Sequence, residues 1–212
     1  MFTCIKSSTS VNGNTIALYK NTGTKGKNIL ILAGTHGDEP QGVNILSQYI
    51  QENHTTINNL YIIPCLNPDG YKLCTRTNAN YIDLNRNFPT KNWELTEKNE
   101  FFGGYTPASE PETKFIIEII NEIKPDIILT IHAPFKIVNY DGPAAQISNA
   151  IAKIIDYKVE HDIGYPTPGS FGTYCGIENN IPTITLELGE DETFEFQKER
   201  CYSIINYLSK LI

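Results

Sequence analysis

The sequence predicts an α/β fold, a single domain whose sheet carries helices on both faces. Three observations support it. Short apolar runs of strand length alternate along the chain with longer segments of helical period. Most of those runs are apolar throughout, the pattern of strands covered on two sides. The 212 residues show no internal repeat and no low-complexity linker, so residues 1–212 are expected to share one core.

The elements follow in order. Asn28-Ile29-Leu30-Ile31-Leu32-Ala33 is short, apolar and ended by Gly34, which predicts a buried strand. Pro40 then opens a helix to about Glu52, because proline suits a first turn and Val43, Leu46 and Ile50 recur at helical spacing. Leu60–Ile63 predicts a second strand, closed by Pro64. From Cys65 to about Pro107 no period persists and Asn, Asp, Gly, Pro, Tyr and Thr dominate. A loop that long inside one domain is usually functional. Glu110-Pro111-Glu112 starts the next helix, with Phe115, Ile116, Ile119, Ile120 and Ile123 as its buried stripe and Pro125 as its stop. Ile127–Ile131 predicts a third strand and Lys136–Tyr140 a fourth. Ala144–Ile155 reads as a helix, Thr183–Leu188 as an alternating strand, and Phe194–Leu211 as a closing helix.

Composition excludes several classes of partner. Lys and Arg number 17 against 24 Asp and Glu, a net charge of −7. Non-specific nucleic-acid binding needs a basic face that displaces phosphate counterions, so no nucleic-acid partner is expected. No run approaches the ~18 apolar residues of a membrane span, so no membrane partner is expected either. Met1-Phe2-Thr3-Cys4-Ile5-Lys6 lacks the charged start and apolar core of a secretion signal. The five cysteines (Cys4, Cys65, Cys74, Cys175, Cys201) are odd in number and scattered, without a Cys-x-x-Cys pair. That argues against a disulfide framework or thiolate zinc site and for a reducing, cytoplasmic setting.

Polar residues at strand ends carry the functional signal. His36 and Glu39 follow the Asn28–Ala33 strand, His132 follows Ile131, and Glu187 lies near the end of Thr183–Leu188. Ligand sites of open α/β sheets lie beyond the carboxyl ends of the strands. Two imidazoles and one carboxylate make the donor set of a catalytic zinc site with a fourth position open to water. Taken singly, His36 could be a turn residue, Glu39 an acidic first-turn residue favoured by the helix dipole, and His132 a satisfied core histidine. Their joint placement, with Glu187 as a further carboxylate, favours the site. His54, in a polar helix-to-strand turn, and His161, in Glu160-His161-Asp162, read as solvated. Arg76 and Arg86 lie in the Asn-rich long loop, and guanidinium groups are well shaped to grip a carboxylate. A pair of surface arginines fits the spacing equally well.

At these residues the sequence resembles the zinc metallocarboxypeptidase family. His36-x-x-Glu39, Asn67-Pro68-Asp69-Gly70, Asp83-Leu84-Asn85-Arg86-Asn87-Phe88, Ile131-His132 and Leu186-Glu187 appear in that family's order and span most of the chain. A second set is similar to the branch of that family formed by bacterial murein peptide amidases, which cut the γ-D-glutamyl–diaminopimelate amide of cell-wall peptides. It comprises Thr75-Arg76-Thr77-Asn78-Ala79-Asn80, Phe88-Pro89, Asn92-Trp93, Ser109-Glu110-Pro111-Glu112-Thr113 and the Gly164–Gly172 stretch.

The resemblance implies a mixed, twisted sheet in one catalytic domain and one zinc ion held by His36, Glu39 and His132. It implies Glu187 as general base and acid, Arg76 as polariser of the scissile carbonyl, and Asn85 with Arg86 as holders of the leaving residue's carboxylate. Tyr165 corresponds to a mobile tyrosine that closes over substrate, and Gly172 lines the side-chain pocket. The expected partner is a small murein peptide with a free carboxylate on the leaving residue. Two departures stand out: no Asp or Arg near Gly172 reads a charged side chain, and no polar residue follows His132 directly. The rival reading is a zinc deacylase of N-acyl amino acids, of the aspartoacylase and succinylglutamate desuccinylase type, against which the Asn67–Gly70 and Gly164–Gly172 stretches speak.

Overall fold

Alternation of side chains along each strand sorts the core into two layers. The computed structural model describes residues 1–24, 26–161 and 164–212. In β3 (Asn28–Ala33), Ile29, Ile31 and Ala33 enter one apolar cluster while Leu30 and Leu32 enter the other. In β4 (Asn59–Ile63), Leu60 and Ile62 face the first cluster and Tyr61 and Ile63 the second. The period of two therefore puts apolar side chains on both faces, which is why these strands are apolar throughout.

Helices close each face. The first cluster is covered by α1 (Pro40–Tyr49), α4 (Ala145–Ile155) and α5 (Phe194–Leu208), through residues such as Leu46, Ile151 and Ile204. The second is covered by α3 (Pro111–Ile123), through Phe115, Ile116, Ile119 and Ile120, together with Leu84, Phe88 and Phe171 from the loops. With β1 (Thr3–Thr9), β2 (Thr15–Asn21), β5 (Ile127–His132), β6 (Ile137–Asp141), β7 (Lys158–Glu160) and β8 (Thr183–Glu187), the sheet formed by the described residues has eight strands in the order β1-β2-β4-β3-β5-β8-β6-β7. The β4-β3-β5-β8 run is parallel and β6 pairs β8 antiparallel, so the sheet is mixed, as expected.

Differences from the sequence reading have local causes. The first helix ends at Tyr49 rather than near Glu52, and its buried face includes Ile45 and Tyr49. β1 and β2 went unread because β1 is an edge strand whose side chains are mostly exposed, leaving no apolar run. The long loop holds a helix of its own, α2 (Pro68–Leu73), too short for a period but capped by Asn67, whose side chain accepts from Gly70 N. His54 is not solvated: its ring stacks on Tyr49 at 3.7 Å, and Nε2 lies 2.9 Å from the Tyr49 carbonyl.

Buried amides fix the rest of that loop where regular structure does not. Asn87 Nδ2 donates to the Gly103 and Thr106 carbonyls and to Ser109 Oγ. Asn78 Nδ2 donates to Glu110 Oε2 at 2.7 Å and to Glu112 Oε2 at 3.2 Å, while its Oδ1 accepts from Asn80 N and Ile82 N. Each satisfies several backbone groups that the loop could not pair itself. Glu112 is fully buried, also accepts from Val11 N, and has its pKa raised by burial and by the Glu110 carboxylate. A carboxyl that ionises later folded than unfolded stabilises the fold below its unfolded pKa and loses that contribution as pH rises through its folded pKa. Glu112→Gln is therefore expected to gain on the wild type in urea midpoint as pH is raised from 4 to 7; a constant difference across that range would contradict this.

Candidate metal centre and cleft

Three adjacent parallel strands end at one edge of the sheet. Ala33 of β3 pairs Ile131 of β5, and His132 pairs Glu187 of β8. His36 and Glu39 lie on the turn between β3 and α1, and Gly37 N donates to the Thr75 carbonyl at 3.0 Å, tying that turn to the long loop.

The donors converge. His36 Nδ1 is 2.7 Å from Glu39 Oε1, and His132 Nδ1 is 2.8 Å from Glu39 Oε2. One donor atom from each of the three residues lies within 4.8 Å of the others. Both imidazoles are buried and Glu39 is nearly so. Burial opposes a charged His36, yet Asp83 and Glu39 raise its pKa to about 9. Burial likewise opposes the Glu39 carboxylate, but the two histidines hold its pKa well below the usual range. Two imidazoles and a carboxylate in a water-limited pocket suit a zinc ion with an open position.

Behind the triad sits Asp83, wholly buried. Its Oδ1 lies 3.1 Å from His36 Nε2 and accepts from Asn85 N, while Oδ2 accepts from Arg76 Nε and Nη2 at 3.1 and 2.9 Å. Asp83 thus orients a candidate ligand and a candidate catalytic arginine at once. His132 has no matching support: its Nε2 has no hydrogen-bond partner among the described residues.

All nine site residues expected from the sequence line one cavity of about 610 Å³: His36, Glu39, Arg76, Asn85, Arg86, His132, Tyr165, Gly172 and Glu187. Glu187 Oε2 is buried without a hydrogen-bond partner among the described residues, and burial raises the pKa of Glu187. Arg86 is buried, with Nη1 donating to the Asn85 carbonyl at 2.8 Å. Asn85 Oδ1 accepts from Phe171 N at 2.9 Å, leaving its Nδ2 for a ligand. Tyr165 stands at the mouth beside Arg86, 45% exposed.

Two acids were not assigned from the sequence. Asp83 was visible only as part of a motif. Asp141, at the end of β6, supplies the acidic group that the Gly172 stretch lacks. Its carboxylate lines the cavity, makes no hydrogen bond to any described residue, and is raised in pKa by burial. Gly172 lets the Asp141 carboxylate approach closely, since a Cβ at that position would lie 2.1 Å from Asp141 Oδ2 and the carboxylate would have to shift. Asp141 is followed by Gly142 at a strand end, the one signal that could have marked it.

Comparison with known proteins matches this geometry. Residues 1–149 match the zinc carboxypeptidase family model, and the chain belongs to that family, as a hydrolase of the metallopeptidase class. Among curated relatives, the murein peptide amidase A of Escherichia coli K12 is 33% identical over 191 residues, covering 84% of this chain and 78% of the relative. That of Vibrio campbellii is 37% identical over 172 residues, covering 75% and 68%. The crystal structure of the murein-tripeptide amidase of Escherichia coli O157 superposes with a TM-score of 0.83 at 29% identity, covering 98% of this chain and 91% of that one.

Residues that orient a metal-binding histidine typically govern metal affinity by about 10- to 100-fold. Asp83→Asn is expected to weaken zinc binding by about that factor, measured by competition with a chromophoric chelator. Wild-type affinity in the variant would show that Asp83 does not support the metal centre.

Proposed function

We propose that this chain is a zinc-dependent murein peptide amidase, one catalytic domain that hydrolyses the γ-D-glutamyl–diaminopimelate amide of small cell-wall peptides. The observation that carries the reading is the charge pattern of the cavity at the strand ends. It combines the His36, Glu39 and His132 donor set with the unpartnered Glu187, the Asn85–Arg86 pair and the isolated Asp141 carboxylate. Diaminopimelate as leaving residue presents a carboxylate next to the scissile nitrogen and an ammonium at its far end. Asn85 and Arg86 suit the first, and Asp141 suits the second. The curated relatives and the neighbouring structure named as murein peptide amidases support the same substrate class. Five free cysteines fit a reducing, cytoplasmic setting.

Each side chain has a task. A zinc ion held by His36, Glu39 and His132 would acidify a water and polarise the scissile carbonyl. Glu187 takes the proton from the attacking water and returns it to the departing amine. Burial raises its proton affinity, which favours the first of these transfers. Arg76 gives Nε and one N–H of Nη2 to Asp83, and its Nη1, 4.0 Å from Glu39 Oε1, lies beside the donor set, where it can stabilise developing charge on the carbonyl oxygen. Arg86 and Asn85 position the amide by its neighbouring carboxylate. Tyr165 at the mouth is placed to cover bound substrate, and Gly172 leaves room for the distal group to reach Asp141.

The test is incubation with L-Ala-γ-D-Glu-diaminopimelate and, in parallel, with N-acetylaspartate, with mass analysis of the products. Release of free diaminopimelate is expected, with poor cleavage when the distal amine is acetylated. Glu187→Gln is expected to keep its zinc and lose about 10²- to 10⁴-fold in rate. Hydrolysis of N-acetylaspartate alone, or near-full turnover by the Gln variant, would overturn the assignment.

A further inference from the structure

The segment after the site motifs carries an aromatic residue that none of those motifs includes. Phe101 is 42% exposed, although its neighbour Phe102 is buried in the ordinary way. The Phe101 ring lies 5.0 Å from the Arg76 guanidinium carbon and 5.9 Å from that of Arg86. One ring thus meets both cavity arginines within the range of cation–π attraction. It also forms wall between the main cavity and a second one of about 270 Å³, and Arg86 and Tyr165 line both.

The ring's backbone is anchored to the arginines' own loop. Asp83 N donates to the Phe102 carbonyl at 2.8 Å, and Phe101 N donates to Asn99 Oδ1 at 2.8 Å. Gly103 packs so closely on Arg86 that a Cβ there would lie 2.3 Å from the Arg86 carbonyl oxygen. Two guanidinium groups in one cleft repel each other, and Arg86 is further disfavoured by burial. An aromatic face offsets part of that repulsion without using their N–H donors. The edge of Arg76 stays committed to Asp83, and Arg86 keeps its bonds to the Asn85 carbonyl and to Tyr165, because the ring engages the faces of both groups and not their N–H edges.

We propose that Phe101 is a positioning residue: its ring co-orients Arg76 and Arg86, so that the leaving residue's carboxylate and the scissile carbonyl are engaged together. The inference rests on the amidase reading for its kinetic consequences but not for the ring–arginine pairing itself. Phe101→Leu keeps an apolar side chain of similar reach at a partly exposed position and removes the π face. It is expected to raise KM and lower kcat, with a combined loss in kcat/KM of about 3- to 30-fold. Thermal midpoint and zinc content are expected to stay at wild-type values, and Phe101→Trp is expected to restore the kinetics. A purely structural role would move the midpoint and would not be rescued by the larger ring. Independently of any substrate, the Arg76 and Arg86 side-chain NMR resonances are expected to show ring-current shifts that Phe101→Leu abolishes. Wild-type kinetics in the Leu variant, or no change in those resonances, would overturn the proposal. If the wild type hydrolyses no murein peptide while the resonances respond, the substrate reading fails and the pairing stands.

Discussion

A carboxylate held between two buried imidazoles organises this molecule's functional edge. Glu39 bridges His36 and His132 with one oxygen to each, and Asp83 meets the far nitrogen of His36. Ionised groups taken out of water are unfavourable unless closely paired, so this cluster is stable only as a unit. Its arrangement fixes the turn after β3, the end of β5 and the middle of the long loop relative to one another.

The sheet supplies the precision. Three neighbouring parallel strands deliver His36, His132 and Glu187 to one edge, and hydrogen-bonded register limits how far each can drift. The antiparallel β6 brings Asp141 to the same cavity from the far side of β8. The remaining wall is irregular and would be mobile without its buried side chains. Asn78 and Asn87 act as substitutes for secondary structure, and Glu110 and Glu112 tie that wall to the start of α3. Overall the chain carries −7, so attraction of an anionic ligand to this cavity would have to come locally from Arg76 and Arg86 rather than from long-range steering.

How much of this was legible depended on whether a residue's role is written in periodicity. β3 was bounded to the residue because its apolar run ends abruptly at glycine, and the stripe of α3 was read residue by residue. His36, Glu39, His132 and Glu187 were legible because polar groups at the ends of buried strands break the apolar pattern. The edge strand β1 and the short α2 carry no such pattern and were not assigned. Asp83 and Asp141 were hidden for a different reason: a buried acid in a polar loop or at a strand end looks like any solvated acid until its partners are placed. His54 shows the converse, a residue in a polar stretch that packs on Tyr49.

Everything proposed for this cavity depends on His36, Glu39 and His132 forming a metal centre with an open position. X-ray absorption at the zinc edge of the zinc-loaded protein tests it most directly. The expected result is one zinc per chain with two imidazole nitrogens and carboxylate oxygen at about 2.0–2.2 Å, and no sulfur. Sulfur ligation at about 2.3 Å, or a spectrum unchanged when Glu39 is replaced by Ala, would contradict it.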